Sequence, residues 1–256
     1  MKNKVVIVTG GSRGIGKATC IKFAKMGAYV VVNGFDNERH IKGSSDLVVK
    51  EITDFGGKAI SYDCDISQKQ NIISLFDKTE ENFGNVDVLV ANAGICPFEN
   101  FLNINEDMFN KVVDVNQKGA FFCAQEAAKR MILNKIKGRI IFTSSVSSIF
   151  GGDLQSHYCA TKGAVNQMMK SIAISVGKHE ITSNAVLPGT VLTDINKKEL
   201  KANPDLLNYF IKRTPIKRLV TTEEVAEAIL FFANPKSSGI SGASLIVDGG
   251  MSINLQ

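Results

Sequence analysis

The residues best suited to moving a proton lie in Tyr158-Cys159-Ala160-Thr161-Lys162, inside a stretch with helical periodicity from Ser156 to Lys178. Residues four apart share a helix face. A tyrosine acts as a base near neutral pH only if its pKa is lowered, and a lysine ammonium one turn away favours the phenolate. By itself this spacing is a common accident of helices. Two further polar residues fall where such chemistry needs them. Ser145 closes the strand-like run Arg139 to Thr143, where a hydroxyl can bond a substrate oxygen whose charge changes during reaction. Asn116 lies within a long helical stretch, Glu106 to Leu133, where its amide can hold a water or a backbone kink. Taken singly, Ser145 reads equally well as a turn serine and Asn116 as a satisfied helical amide.

A second kind of chemistry is written near the N-terminus. Val5 to Val8 is a β-branched run, followed by Thr9-Gly10-Gly11-Ser12-Arg13-Gly14-Ile15-Gly16 and then helical spacing to Met26. Glycines at 10, 14 and 16 let a strand-to-helix turn close tightly, so that its backbone approaches a pyrophosphate at a helix N-terminus. A glycine cluster alone is weak evidence; its place after the first strand of a β-α-β unit makes it strong.

These residues need a scaffold, and the hydrophobic pattern supplies one. Strand-like runs recur at Val5–Val8, Tyr29–Val32, Ala59–Tyr62, Val86–Ala91, Arg139–Thr143, Thr182–Leu187 and Ser244–Val247. Helical stretches alternate with them: Asp46–Phe55, Gln68–Phe83, Glu106–Leu133, Ser156–Lys178 and Thr222–Ala233. Such alternation predicts a parallel sheet covered by helices on both faces, an α/β doubly wound fold of seven strands. No linker, repeat or low-complexity tract divides the chain, which reads as one domain over 1–256. Between Pro188 and Thr222 the segment is polar and mixed, with Pro204 and Pro215 as expected breakers. Ligands of open α/β sheets bind beyond the carboxyl ends of the strands, at the topological switch point. The loops beginning at Thr9, Asn33, Asp63, Asn92, Ser144 and Pro188 should therefore share one rim.

Composition narrows the partners. Hydrophobic residues make up 44% and charged residues 21%, which excludes a disordered or fibrous chain. The net charge of +5 comes without a Lys/Arg block or basic-aromatic interleaving, so no nucleic-acid partner is expected. No apolar run reaches the roughly 18 residues of a membrane span. Met1 to Lys4 leads directly into the first strand, which leaves no room for a signal peptide, and a cytoplasmic location is expected. Five cysteines, an odd number without a CxxC pair, argue against a disulfide framework and a zinc site; no metal is expected.

The chain resembles the short-chain dehydrogenase/reductase family along nearly its whole length. The resemblance is carried by the Thr9–Gly16 turn, Asp65, Asn92-Ala93-Gly94, Asn116, Ser145, the Tyr158/Lys162 pair, Pro188-Gly189 with Thr193, and Asp248-Gly249-Gly250, in that order. It implies a single Rossmann-type domain, usually in a homotetramer, and hydride transfer between an alcohol carbon and C4 of a nicotinamide. It assigns a catalytic tetrad to Asn116, Ser145, Tyr158 and Lys162. Tyr158 would exchange the hydroxyl proton and Ser145 would orient the oxygen. Lys162 would also bind the nicotinamide ribose, and Asn116 would hold the water linking Lys162 to solvent. Cofactor contacts are expected from Gly10, Ser12, Arg13, Gly14, Ile15, Gly16, Asn33, Asp65 (on the adenine amino group), Ile66, Asn92, Ala93, Gly94, Tyr158, Lys162, Pro188, Gly189, Val191 and Thr193.

An acidic residue at the end of the second strand would hold the ribose 2′-hydroxyl of NAD. Counting from Gly27-Ala28, that position is Gly34, with Asp36 two residues on. The missing carboxylate, with Arg13 in the glycine turn and Arg39 and His40 nearby, points to NADP, with NAD as the second choice. Segments Ile95–Glu99, His157, Gly189–Lys197 and the Ile253–Gln256 tail resemble the family's aldose dehydrogenases that act on L-rhamnose, which oxidise the anomeric hydroxyl to a lactone. A sugar pocket is expected from Ser145, Ser147, Gln155, His157, Tyr158, Thr190 and Asn196, with Phe98 as an apolar face, and from a substrate loop over 189–216. Two alternatives compete. A 3-oxoacyl-[acyl-carrier-protein] reductase shares the core motifs and would dock its acidic carrier on Lys118, Lys129 and Arg130. A non-enzymatic NADP-binding regulator on the same fold would usually lack the Tyr or Lys of the pair, and here both are present.

Overall fold

The computed structural model describes residues 1–35, 43–193 and 196–254. Among them, seven parallel strands form one sheet in the order β3-β2-β1-β4-β5-β6-β7. The strands are β1 (Val5–Val8), β2 (Tyr29–Val32), β3 (Lys58–Ser61), β4 (Val88–Ala91), β5 (Arg139–Thr143), β6 (Thr182–Pro188) and β7 (Ser244–Val247). The chain runs outward from β1 to β3, then returns across β1 to pair β4 with it. Ile7 registers with Val31 on one side and Leu89 on the other.

Alternation along each strand divides the core. Val5 and Ile7 face one layer, with Phe76, Cys123 and Met169 from α3 (Lys69–Phe83), α5 (Ala120–Leu133) and α6 (Ser156–Val176). Val6 and Val8 face the other, with Phe23, Ile52 and Phe232 from α1 (Gly14–Lys25), α2 (Ser44–Asp54) and α9 (Thr222–Ala233). A strand buried on both faces reads as a continuous apolar run, as these do. Each fully buried aliphatic or Phe side chain stabilises by roughly 1.5–3 kcal/mol. The N-terminus of α9 is set by a reciprocal cap between Thr221 and Glu224.

Two expectations about helices are corrected. The stretch from Glu106 to Leu133 is not one α-helix. It is α4 (Glu106–Val113), a π-turn over Asp114–Gly119 and then α5. The π-turn contains Asn116, whose amide is tied to a neighbouring loop. Pro204 does not break the segment after β6. It opens α8 (Pro204–Arg213), where a missing N–H costs nothing, and Asn203 caps the helix by accepting from Leu206 N at 3.1 Å. A short helix, α7 (Lys197–Ala202), precedes it. The five cysteines form no disulfide among the described residues. No helix among the described residues is long and apolar enough to cross a membrane.

Candidate active site

The reversal of strand order between β1 and β4 brings two loops together. Thr9 Oγ1 accepts from Asn92 N at 3.0 Å and Ala93 N at 3.1 Å, while Asn92 Nδ2 donates to Thr9 O and Gly10 O at 3.0 and 3.2 Å. Gly10 takes φ +63°, and a Cβ there would meet Ala93 Cα at 2.9 Å. Gly16 serves a different purpose from the one expected. Its missing Cβ is what lets α1 pack onto Gly10 O, and Gly16 is not on the cavity wall. Gly10, Ser12, Arg13, Gly14 and Ile15 are on that wall. The first turn of α1 carries no side-chain cap and no acidic residue. The N–H groups and positive dipole end of such a helix start suit an anion, which fits the pyrophosphate of a dinucleotide.

The cavity holds about 1370 Å³. Pockets for one drug-sized ligand run to roughly 1,000 Å³, so this space suits a dinucleotide together with a small second substrate. Asn33, Asp65, Ile66, Asn92, Ala93, Gly94, Pro188, Gly189, Val191 and Thr193 line it. Asn33 is buried, and its amide donates to Tyr62 O and Cys64 O, which joins the ends of β2 and β3. Asp65 Oδ1 is fixed by Ser67 N at 2.9 Å. Asp36, Arg39 and His40 lie outside the described residues, as do Asp194 and Ile195 of the loop after β6.

Across the cavity, β5 and α6 hold the proton-moving group. Ser144 Oγ donates to Lys162 O at 3.0 Å, which docks α6 on the end of β5. The next residue, Ser145, caps a short turn by accepting from Ser147 N at 3.0 Å, and its hydroxyl favours the ionised form of the Tyr158 phenol. Lys162 is buried, donates to Thr143 O at 2.8 Å and sits 5.5 Å from the Tyr158 ring centroid. The expected proximity is present, but the expected electrostatics are not. Burial raises the Tyr158 pKa well above its ordinary value, with the bond to Ser145 pulling the other way. Burial also pushes Lys162 down to about 8, opposed by the Cys96 thiol. Desolvation opposes both charged forms and is the largest influence on each.

Asn116 departs from its expected role at the side-chain level. Its Oδ1 accepts from Ile95 N at 2.8 Å, and its Nδ2 donates to Ile95 O at 2.9 Å and Thr161 Oγ1 at 3.2 Å. The side chain is thus spent on fixing the loop after Asn92-Ala93-Gly94 against α6, and it is not on the cavity wall. A Cβ on Gly94 would lie 3.3 Å from Asn116 Oδ1 and 3.5 Å from Lys162 Nζ, so the small residue sets that approach.

On the substrate side, Phe98, Ser147, Gln155, Thr190 and Asn196 reach the cavity. Asn196 also braces its own loop, accepting from Thr193 N and donating to Val191 O, both at 3.1 Å. His157 is a correction: it does not reach the cavity. It is buried against a separate pocket of about 410 Å³ with Phe101, Ile104 and Phe109, and neither ring nitrogen has a hydrogen-bond partner among the described residues. Helical geometry explains this, since adjacent residues point about 100° apart and the face of Tyr158 and Lys162 excludes 157.

Sequence reasoning missed α8. Leu206, Tyr209, Phe210 and Arg213, spaced 3, 1 and 3 apart on one helical face, close the far side of the cavity, and Ser252 and Asn254 join them from the C-terminal turn. The signal was available in Asn203-Pro204, which is a cap followed by a favoured first helical residue.

The chain is similar to known proteins over nearly its full length. The family described as enoyl-(acyl carrier protein) reductase matches residues 10–252. An L-rhamnose 1-dehydrogenase (NAD(P)(+)) of Sphingomonas sp. (strain SKA58) is 43% identical, with 100% of this chain and 99% of that one covered. An L-rhamnose 1-dehydrogenase (NADP(+)) of Thermoplasma acidophilum is 42% identical, with 100% and 98% covered. The crystal structure of a short-chain type dehydrogenase/reductase from Mycobacterium marinum matches with a TM-score of 0.90 at 31% identity, with 98% and 96% covered.

Proposed function

The chain belongs to the short-chain dehydrogenase/reductase family, and from that premise we propose that it oxidises the anomeric hydroxyl of L-rhamnose to the lactone with NADP or NAD as the hydride acceptor. The observation that carries this reading is the placement of Tyr158, Ser145 and Lys162 on one wall of a cavity whose opposite wall is the uncapped start of α1. A bound NADP or NAD would supply the hydride acceptor. Tyr158, in its ionised form beside the Lys162 ammonium, takes the hydroxyl proton. Ser145 holds the sugar oxygen, and Lys162 bonds the nicotinamide ribose. Ser147, Gln155, Thr190 and Asn196 supply donors and acceptors for the remaining sugar hydroxyls, and Phe98 supplies an apolar face. The whole chain acts as one catalytic domain, with 189–216 carrying the far side of the sugar site.

The carrier-protein reductase reading loses support at its docking surface. Arg130 is engaged by Asp77, Glu80 and Glu126, and Lys118 pairs with Asp114, so two of the three cations are already neutralised. The outer edge of β7, with Leu245 and Ile246 exposed, supports assembly of copies and agrees with the tetramer expected of the family.

Initial rates of NADP and NAD reduction over a panel of aldoses test the proposal. L-rhamnose, L-mannose and L-lyxose should be oxidised. Sugars inverted at C2 should fall at least about 100-fold in kcat/KM, because a site built to bond a hydroxyl is left with unpaired polar groups. Rapid reduction of an acetoacetyl thioester with no aldose oxidised would replace this reading with the carrier-protein reductase. His157→Ala is expected to leave the KM values for sugar and dinucleotide within about two-fold of the parent, since the imidazole faces the other pocket. A rise confined to the sugar KM would place His157 in the sugar site after all.

A further inference from the structure

In sheets of this kind a carboxylate at the end of the second strand bonds the adenosine ribose and repels a 2′-phosphate. Here the residue at that point is Gly34, and neighbouring side chains occupy the place its Cβ would take. A Cβ on Gly34 would overlap Ser45 Oγ, come within 2.7 Å of Asp63 Oδ1 and lie 3.3 Å from Ser12 Cβ. The volume a side chain at 34 would fill is therefore taken, and what takes it includes a carboxylate from elsewhere in the chain.

Asp63 follows β3, the edge strand beside β2. Its Oδ1 accepts from Gly34 N at 3.1 Å and from the hydroxyl of fully buried Ser45 at 2.5 Å. The segment that carries it is fixed on both sides. Cys64 N donates to Gly34 O at 2.9 Å, and Asn33 Nδ2 donates to Tyr62 O at 3.0 Å and Cys64 O at 3.2 Å. The residues around the carboxylate, Ser12, Gly34, Cys64 and Asp65, all line the cavity. Asp63 itself is exposed and lies just behind these lining residues, so its charge would reach the cavity through Gly34 and the solvent around it.

We propose that Asp63 is a specificity-determining residue for the dinucleotide, supplying from the end of β3 the negative charge that position 34 does not carry. Its charge disfavours a 2′-phosphate, while Arg13 in the glycine turn favours one. Together they hold the preference between NADP and NAD close to balance. The small residue at 34, which by itself points to NADP, is a consequence of Asp63 and Ser45 filling its place. This inference rests on the dinucleotide reading above.

The test is calorimetric titration of the full chain with 5′-AMP and with adenosine 2′,5′-bisphosphate, which differ only in the 2′-phosphate. Asp63→Asn keeps an oxygen to accept from Gly34 N and Ser45 Oγ but removes the charge. The variant is expected to bind the bisphosphate roughly ten-fold more tightly, the size of one charge interaction at a partly exposed site. Its affinity for 5′-AMP should change less than about three-fold. The gain should shrink in 1 M salt, where charges are screened beyond about 3 Å. Asp63→Ser, equally uncharged, should show the same preference. If the parent binds both nucleotides and the ratio of affinities is the same in the variants, Asp63 has no part in the choice and the dinucleotide reading stands. If the parent binds neither nucleotide, the dinucleotide reading falls and this inference falls with it.

Discussion

Tyr158→Phe is expected to lower turnover at least about 100-fold while dinucleotide affinity stays within a few-fold of the parent. The substitution keeps the ring, and with it the packing between Lys162 and the β5 end, and removes only the hydroxyl bonded to Ser145. General acid-base catalysis contributes typically 10² to 10⁴ in rate, so the loss should fall in that range. The effect should appear in kcat, because the proton is transferred only as the hydride leaves. Steady-state kinetics and a dinucleotide titration on the same preparation separate the two quantities. Near-parental turnover in the Phe variant would remove Tyr158 from the proton path.

Lys162→Met is expected to make the protein more stable and almost inactive. Lys162 is buried, and burial pulls its pKa from the ordinary lysine value to about 8. At pH 7 the folded chain therefore keeps a desolvated ammonium that the unfolded chain holds in water. A shift of this size corresponds to about 3 kcal/mol. Met loses the hydrogen bond to Thr143 O, worth about 1 kcal/mol, so a net gain of about 2 kcal/mol remains. For a chain of this length that is a rise of roughly 5 °C in Tm. The sign with pH follows from proton uptake. Between about pH 8 and the unperturbed lysine range the unfolded state binds more protons than the folded state, so the parent gains stability as pH rises. The advantage of the Met variant should thus be full below about pH 8 and fade across that window. Turnover should fall at least about 100-fold at every pH, since the cation beside Tyr158 is gone. Thermal melts at pH 7 and pH 10 check the stability claim, and an unchanged Tm at pH 7 would mean that the ammonium is better solvated than its burial indicates.

The destabilising charge of Lys162 and the absent side chain at Gly34 show the two kinds of information at work. Amino-acid order alone determined the alternation of strands and helices, because a strand buried on both faces must be continuously apolar and a covering helix must repeat near 3.6. It determined the pairing of Tyr158 with Lys162, because four residues make one turn, and it placed the glycine turn at a helix start. All of these are local relations, carried by neighbours in the chain. Only the tertiary structure decided what His157 lies against, because that depends on α4 and the turn near Phe101 packing beside α6. Only the tertiary structure spent the Asn116 amide on Ile95 and Thr161, residues 21 and 45 positions away. The same holds for α8, whose place on the cavity wall depends on contacts such as that of Asn254 Nδ2 with Arg213 O, 41 positions apart. It holds for the pKa values of Tyr158 and Lys162, since spacing along a helix sets their separation but the surrounding chain sets how much water they lose. And it holds for Asp63, which reaches the end of β2 only because β3 pairs beside it, bringing a carboxylate 29 positions along the chain to the backbone of Gly34.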